Sequence, residues 1–137
     1  MTTWRPTHAY VPGQSQRHAE TVFDAIKATI HGIPHDRLHE TEAWQLAHEL
    51  LRDGYYWEAH EILEAIWMAC PPNSAEKLLV QGLIQQANAR LKGAMGMEKA
   101  QHRLEAQATR LIKEAFMNTK ANVLGHSFDE FISKSEI

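Results

Sequence analysis

Apolar positions recur every three or four residues through most of the chain, the period of helices that each bury one face. Val22, Phe23, Ile26 and Ile30 keep this spacing within "HAETVFDAIKATI". They predict a first helix starting near Ser15 and ended by Gly32 and Pro34. Trp44, Ala47, Leu50 and Leu51 predict a second over about Asp36–Arg52, with Gly54 at its C-terminal stop. The third runs from Tyr55 to about Met68, where "CPPN" breaks it, since two prolines cannot continue a helix. Asn73 or Ser74 caps the fourth, "AEKLLVQGLIQQANARLK", with Glu76 three residues after Asn73. Gly93 and Gly96 predict a turn. The fifth helix, about Met97–Asn118, carries Ala100, Leu104, Ala108, Leu111, Ile112, Ala115 and Phe116 on one face. Ser127, followed three residues later by Glu130, predicts a capping box opening a short last helix.

No segment alternates with period two, so no strand is expected. Short connections favour antiparallel neighbours. The fold class is therefore all-α: a compact bundle of five to six mostly antiparallel helices. Residues 1–14, with Pro6, Pro12 and Gly13, form an extended N-terminal arm, and residues 15–137 form a single helical domain.

The third helix concentrates the chemistry. "YYWEAHEILEAIW" holds one histidine, three glutamates and two tryptophans. At about 100° per residue, Ala59, Ile62, Leu63 and Ile66 fall on one side and make a sufficient core stripe. Trp57, Glu61, Glu64 and Met68 fall opposite, with His60 and Trp67 on the flank. Two indoles beside the carboxylates predict an aromatic-walled cleft rather than a solvated face. In the fourth helix Gln81, Gln85 and Asn88 share one face, while Val80, Leu83, Ile84, Ala87 and Leu91 serve the core. Amides donate and carboxylates accept, so a polar seam between the two helices is self-consistent. The bland alternative is that His60 and Glu64 pair within one helical turn and the other carboxylates are structural.

Charge and composition mainly exclude. Fourteen basic and seventeen acidic side chains give a net −3 without a basic run, which argues against a nucleic-acid surface. No apolar run approaches the roughly 20 residues of a membrane span. "MTTWRPTHAY" lacks the apolar core of a secretory signal, and Cys70 alone cannot form an intrachain disulfide, so a cytoplasmic location is expected. Nine histidines would move the charge from −3 to +6 if all were protonated. "GAMGM" lacks the lysine and preceding strand of a phosphate loop, and Cys70 before "PP" reads as a helix-end hydrophobe.

"GYYWEAHEILEAIW" followed by "VQGLIQQANARLK" resembles the domain-of-unknown-function family 309, small all-α proteins with a W-E-A-H-E-x-x-E-x-x-W helix and a following Q-G-L-I-Q helix. The resemblance covers about residues 40–110. "HAYVPGQSQRHAETVFD" is similar to the N-terminal extension of one bacterial subgroup of that family. The resemblance implies the helical fold and supplies no activity. Glu58, His60, Glu61, Glu64, Trp67, Gln81 and Gln85 match motif positions, whereas "QQANAR" stands where relatives often have a more apolar run and adds Asn88 to the polar set.

Three functional classes follow. In the first, His60, Glu61 and Glu64 are catalytic or binding groups for a small polar ligand, with Trp57, Glu58, Trp67, Gln81, Gln85 and Asn88 lining the cleft and no cofactor required. In the second, "HEILE", which departs from the H-E-x-x-H zinc pattern at Glu64, holds a divalent metal through His60 and Glu64 with Glu61 as base. Its third ligand is then open among His18, His35, His39, His48 and His102. In the third, the chain is a non-enzymatic interaction module presenting its Trp and Tyr surface. The polar "GQSQRH" stretch reads as an arm packed on its own bundle.

Overall fold

Ala59, Ile62, Leu63 and Ile66 lie at the centre of the protein with essentially no exposed surface, as their helical spacing requires. The helix that carries them is central because neighbours cover it on several sides. A computed structural model describes residues 4–117, 122–127 and 130. Among these residues the elements are α1 (Asp24–Ala28), a 3-10 helix (His35–Glu40), α2 (Glu42–Arg52), α3 (Tyr56–Ala69), α4 (Ala75–Ala94) and α5 (Glu98–Met117), with no strand. Packing runs from α2 to α3 to α4 to α5, with α1 touching α2 and α3. Leu38, Leu46, Leu50, Leu79 and Val80 complete the fully buried core.

Local chemistry explains most boundaries. Thr41 is extended, and its hydroxyl accepts from Trp44 N–H at 3.1 Å while donating to Leu38 O at 2.7 Å. It caps α2 and splits the expected Asp36–Arg52 helix into a 3-10 turn and an α-helix. After α2, Gly54 at φ +92° lets Tyr55 N–H return to Leu50 O at 2.8 Å. Of the two candidate caps for α4, Ser74 is the one used: its hydroxyl accepts from Lys77 N–H, and Asn73 takes a left-handed turn at φ 63°. Glu76 faces His35 at 3.6 Å instead of closing a capping box on Asn73. Gly93 remains inside α4, and the turn belongs to Gly96 at φ +78°.

The first helix is shorter than its periodicity predicts. Residues 15–19 are irregular, 20–23 form turns held by bonds such as Asp24 N–H to Thr21 O, and only Asp24–Ala28 is α-helical. Phe23 is buried by these turns, and His18 points inward, which a continuous surface helix would not permit. In α5, Ala100, Ala108, Ile112, Ala115 and Phe116 are buried as expected, while Leu104 and Leu111 are half-buried. Asn118 and most of the expected last helix lie outside the described residues, but Glu130 Oε1 does accept from Ser127 N–H at 3.2 Å.

The α4–α5 pair is the most extensive helix contact, and Gly82 permits its close approach. A Cβ there would stand 2.7 Å from Ile112 Cγ1 and 3.2 Å from Ala108 O. Gly82→Ala gains about 1 kcal/mol of helix propensity. Overpacking costs about 1–3 kcal/mol, and here one obstacle is backbone. We expect net destabilisation in a urea melt; a variant more stable than the parent would show that the helices separate freely at this point.

Candidate functional site

His60, Glu61 and Glu64 project from the side of α3 away from its core stripe. One ligand atom from each lies within 4.8 Å of the others. His60 Nε2 is 3.2 Å from Glu64 Oε2, and His60 Nδ1 is 3.7 Å from Glu61 Oε1. The 3.6-residue period brings His60 and Glu64 together one turn apart. Exposure grades across the set: the side chains of His60, Glu61 and Glu64 are 21%, 27% and 52% exposed. Lys27 from α1 approaches Glu61 Oε2 at 3.7 Å, so an ammonium group already borders the cluster.

Glu58, two positions earlier, has a different setting. It is completely buried, and its Oε2 accepts from Tyr10 N–H and from His18 Nε2, both at 2.6 Å. His18 is itself only 4% exposed. Its ring lies 4.5 Å from His8 and 6.0 Å from Trp57, and Tyr10 meets Trp57 edge-on at 5.1 Å. Glu58 is thus the anchor onto which the N-terminal arm folds. Arg5 adds a second fastening, with Nη2 at 3.0 Å from both Glu49 Oε1 and Asp53 Oδ2. Glu58 Oε1 is buried without a hydrogen-bond partner among the described residues.

The remaining sequence-selected residues are dispersed among several contacts. Trp57 is half-buried against Tyr10, His18 and Phe23. The ring of Trp67 is covered by Lys77 Nζ at 3.9 Å. Gln81, Gln85 and Asn88 are half-buried on α4, and Asn88 Nδ2 donates to Gln85 Oε1 at 3.5 Å. Among the described residues no hydrogen bond or ion pair links these amides to His60, Glu61 or Glu64. Of the histidines considered as a third ligand, His18 turns to Glu58, His35 faces Glu76, His39 lines a groove with His48, His48 meets His126, and His102 is exposed on α5. Glu61 takes the third place in the cluster. Cys70 is buried, donates to Ile66 O, and its thiol is pushed up to about 11 by burial, so it offers no thiolate at neutral pH.

Two arrangements escaped the sequence reading. The His18–Glu58 pair joins residues 40 positions apart, and a His48–His126 pair joins residues 78 apart. His48 carried a partial signal, since its Nδ1 bonds back to Trp44 O one turn earlier, at 2.9 Å. Nothing local marks His126.

No curated protein and no solved structure matches the chain. The family model matches the segment that holds the α3 cluster and the Gln81–Asn88 stripe. Over residues 44–104, which carry most of α2, all of α3 and α4 and the start of α5, the chain matches the model of the family described as Domain of unknown function (DUF309).

Proposed function

We propose that the protein binds a small polar ligand bearing a positive charge at the His60–Glu61–Glu64 cluster. The supporting observation is the convergence of three ligand atoms within 4.8 Å on a side of α3 that the core does not use. Two carboxylates attract a cation, and they lie beside a histidine with one carboxylate near each ring nitrogen. Such a histidine can donate to a ligand and pass a proton. Lys27 acts as an internal occupant of the Glu61 end, which an incoming amine displaces. The reading rests on these three side chains.

The same convergence favours a second reading, a divalent metal held by one imidazole and two carboxylates. One experiment separates the two. Butylammonium chloride, whose single amine cannot chelate, is expected to shift the amide resonances of His60, Glu61 and Glu64 on titration into the protein, and a Glu61→Gln/Glu64→Gln variant is expected to lose the response. A titration that leaves those three residues unmoved ends the ligand reading. About one equivalent of metal in the purified protein, lost in His60→Ala, would put the metal reading in its place.

A further inference from the structure

His48 on α2 and His126 on the C-terminal turn bring their Nε2 atoms to 2.9 Å. Their ring planes differ by 21° and the centroids stand 5.1 Å apart, so the rings meet edge to edge, nearly coplanar. The other nitrogen of each ring is already engaged by an acceptor. His48 Nδ1 faces the Trp44 carbonyl at 2.9 Å, and a carbonyl can only accept. His126 Nδ1 faces Glu130 Oε2 at 2.9 Å. A carboxylate can only accept, so Glu130 takes a hydrogen from that nitrogen. Both Nδ1 atoms therefore carry hydrogen, and in the neutral rings both Nε2 lone pairs point at the same place. Two lone pairs at 2.9 Å require something positive between them.

We propose that His48 and His126 form a two-histidine chelate for a borderline transition-metal ion of the zinc, cobalt or nickel type, which replaces a proton shared between the Nε2 atoms. Histidines that ligate metals usually donate their second N–H to a carbonyl or carboxylate, which fixes the tautomer, and both rings have that support. Imidazole suits such ions, and calcium or magnesium would prefer oxygen. With metal–nitrogen bonds of about 2.0–2.1 Å, a tetrahedral centre separates its nitrogens by about 3.3 Å, so the nitrogens need to part by a few tenths of an ångström and each ring to tilt by about 35° for both lone pairs to converge on the ion.

The surroundings suit an ion with exchangeable positions. The pair borders an open groove of about 790 Å³, also lined by His39, Trp44 and Glu49. His39 Nδ1 and Glu49 Oε2 are buried there without hydrogen-bond partners among the described residues. The turn that carries His126 is well anchored. Val123 and His126 exchange two backbone hydrogen bonds of 2.9 Å, and Val123 and Leu124 are buried in the core. Leu124 and Gly125 have φ of 47° and 76°, the left-handed pair of a tight hairpin turn. Solvent reaches the pair from the groove while the polypeptide holds both rings.

The test uses the full chain in a His60→Ala background, which removes the α3 cluster as a competing site. Calorimetric titration with zinc chloride is expected to give about one equivalent bound, with release of the shared proton. Adding His48→Ala or His126→Ala is expected to weaken that binding at least tenfold. Cobalt chloride should give a visible absorption band that the same substitutions abolish. His126→Gln, which keeps a polar side chain on the turn, provides a second variant if His126→Ala melts early. Nitrogen NMR of the folded background protein should show both Nε2 resonances shifting with zinc while both Nδ1–H signals persist. No zinc binding in the background protein, unchanged binding after His126 replacement, or unmoved Nε2 resonances would each overturn the proposal and leave a pair that shares only a proton.

Discussion

Ile66→Asp is expected to abolish the cooperative thermal transition, whereas Glu61→Gln, five positions earlier on the same helix, leaves it nearly unchanged. Ile66 has no exposed surface and sits among α3 core residues. Losing a buried isoleucine costs about 2–5 kcal/mol. An unpaired buried carboxylate adds several kcal/mol more. Together these rival the roughly 5–15 kcal/mol that hold an average domain folded. Glu61 is partly solvated, and its ion pair with Lys27 spans 3.7 Å, a contact worth about 0–1 kcal/mol. Circular-dichroism melts of both variants check the contrast. Equal losses would mean that Glu61 is a structural strut, and the ligand proposal for its cluster would fall.

Glu58→Ala is the second large effect, expected at about 3–5 kcal/mol, the usual result of removing one partner from a buried pair. The substitution leaves His18 and the Tyr10 N–H buried without their acceptor. Glu58→Gln should cost less, because its carbonyl oxygen can still accept both donors. Removing His18 in the Glu58→Ala background should add little further loss, since the shared contact is already gone. The arm supplies an independent readout: Tyr10 amide exchange should be slow in the parent and fast in Glu58→Ala. Strictly additive losses for His18 and Glu58, with Tyr10 exchanging quickly in the parent, would show that the arm is not latched there.

Periodicity gave sound guidance where each residue's partner was its own helix. The core stripe of α3, the break at Pro71–Pro72, the Gly54 stop and most of the buried face of α5 all follow from spacing and backbone preference. His60, Glu61 and Glu64 meet for the same reason: residues three and four apart share a helix face. The boundaries that failed were those where a tertiary contact or a side-chain cap overrode the helical pattern. Residues 15–23 have a helical pattern, but with His18 and Phe23 buried the chain is irregular over 15–19 and turns over 20–23. Thr41 interrupts a helical pattern because its side chain satisfies two backbone groups at once.

The α3 polar motif was also readable as the strongest chemical signal, although its members do not share one environment. A helical wheel places Glu58, Glu61 and Glu64 by angle alone. It carries no information about which neighbour arrives over each angle. The arm covers Glu58, α1 brings Lys27 to Glu61, and Glu64 remains open. Burial thus separates three carboxylates that are alike in sequence into an anchor, a paired group and an exposed one.

The helical class, the principal apolar faces, several stops and the local His60–Glu61–Glu64 set were all legible in the order of residues, because these depend on interactions within a few positions. Tertiary structure decided that His18 meets Glu58 and that His48 meets His126, across 40 and 78 positions. Contacts at such separations depend on how whole helices and turns dock, a sum over many packed side chains that no local spacing encodes. The same docking decides which of nine histidines lie against an acceptor and which face another histidine.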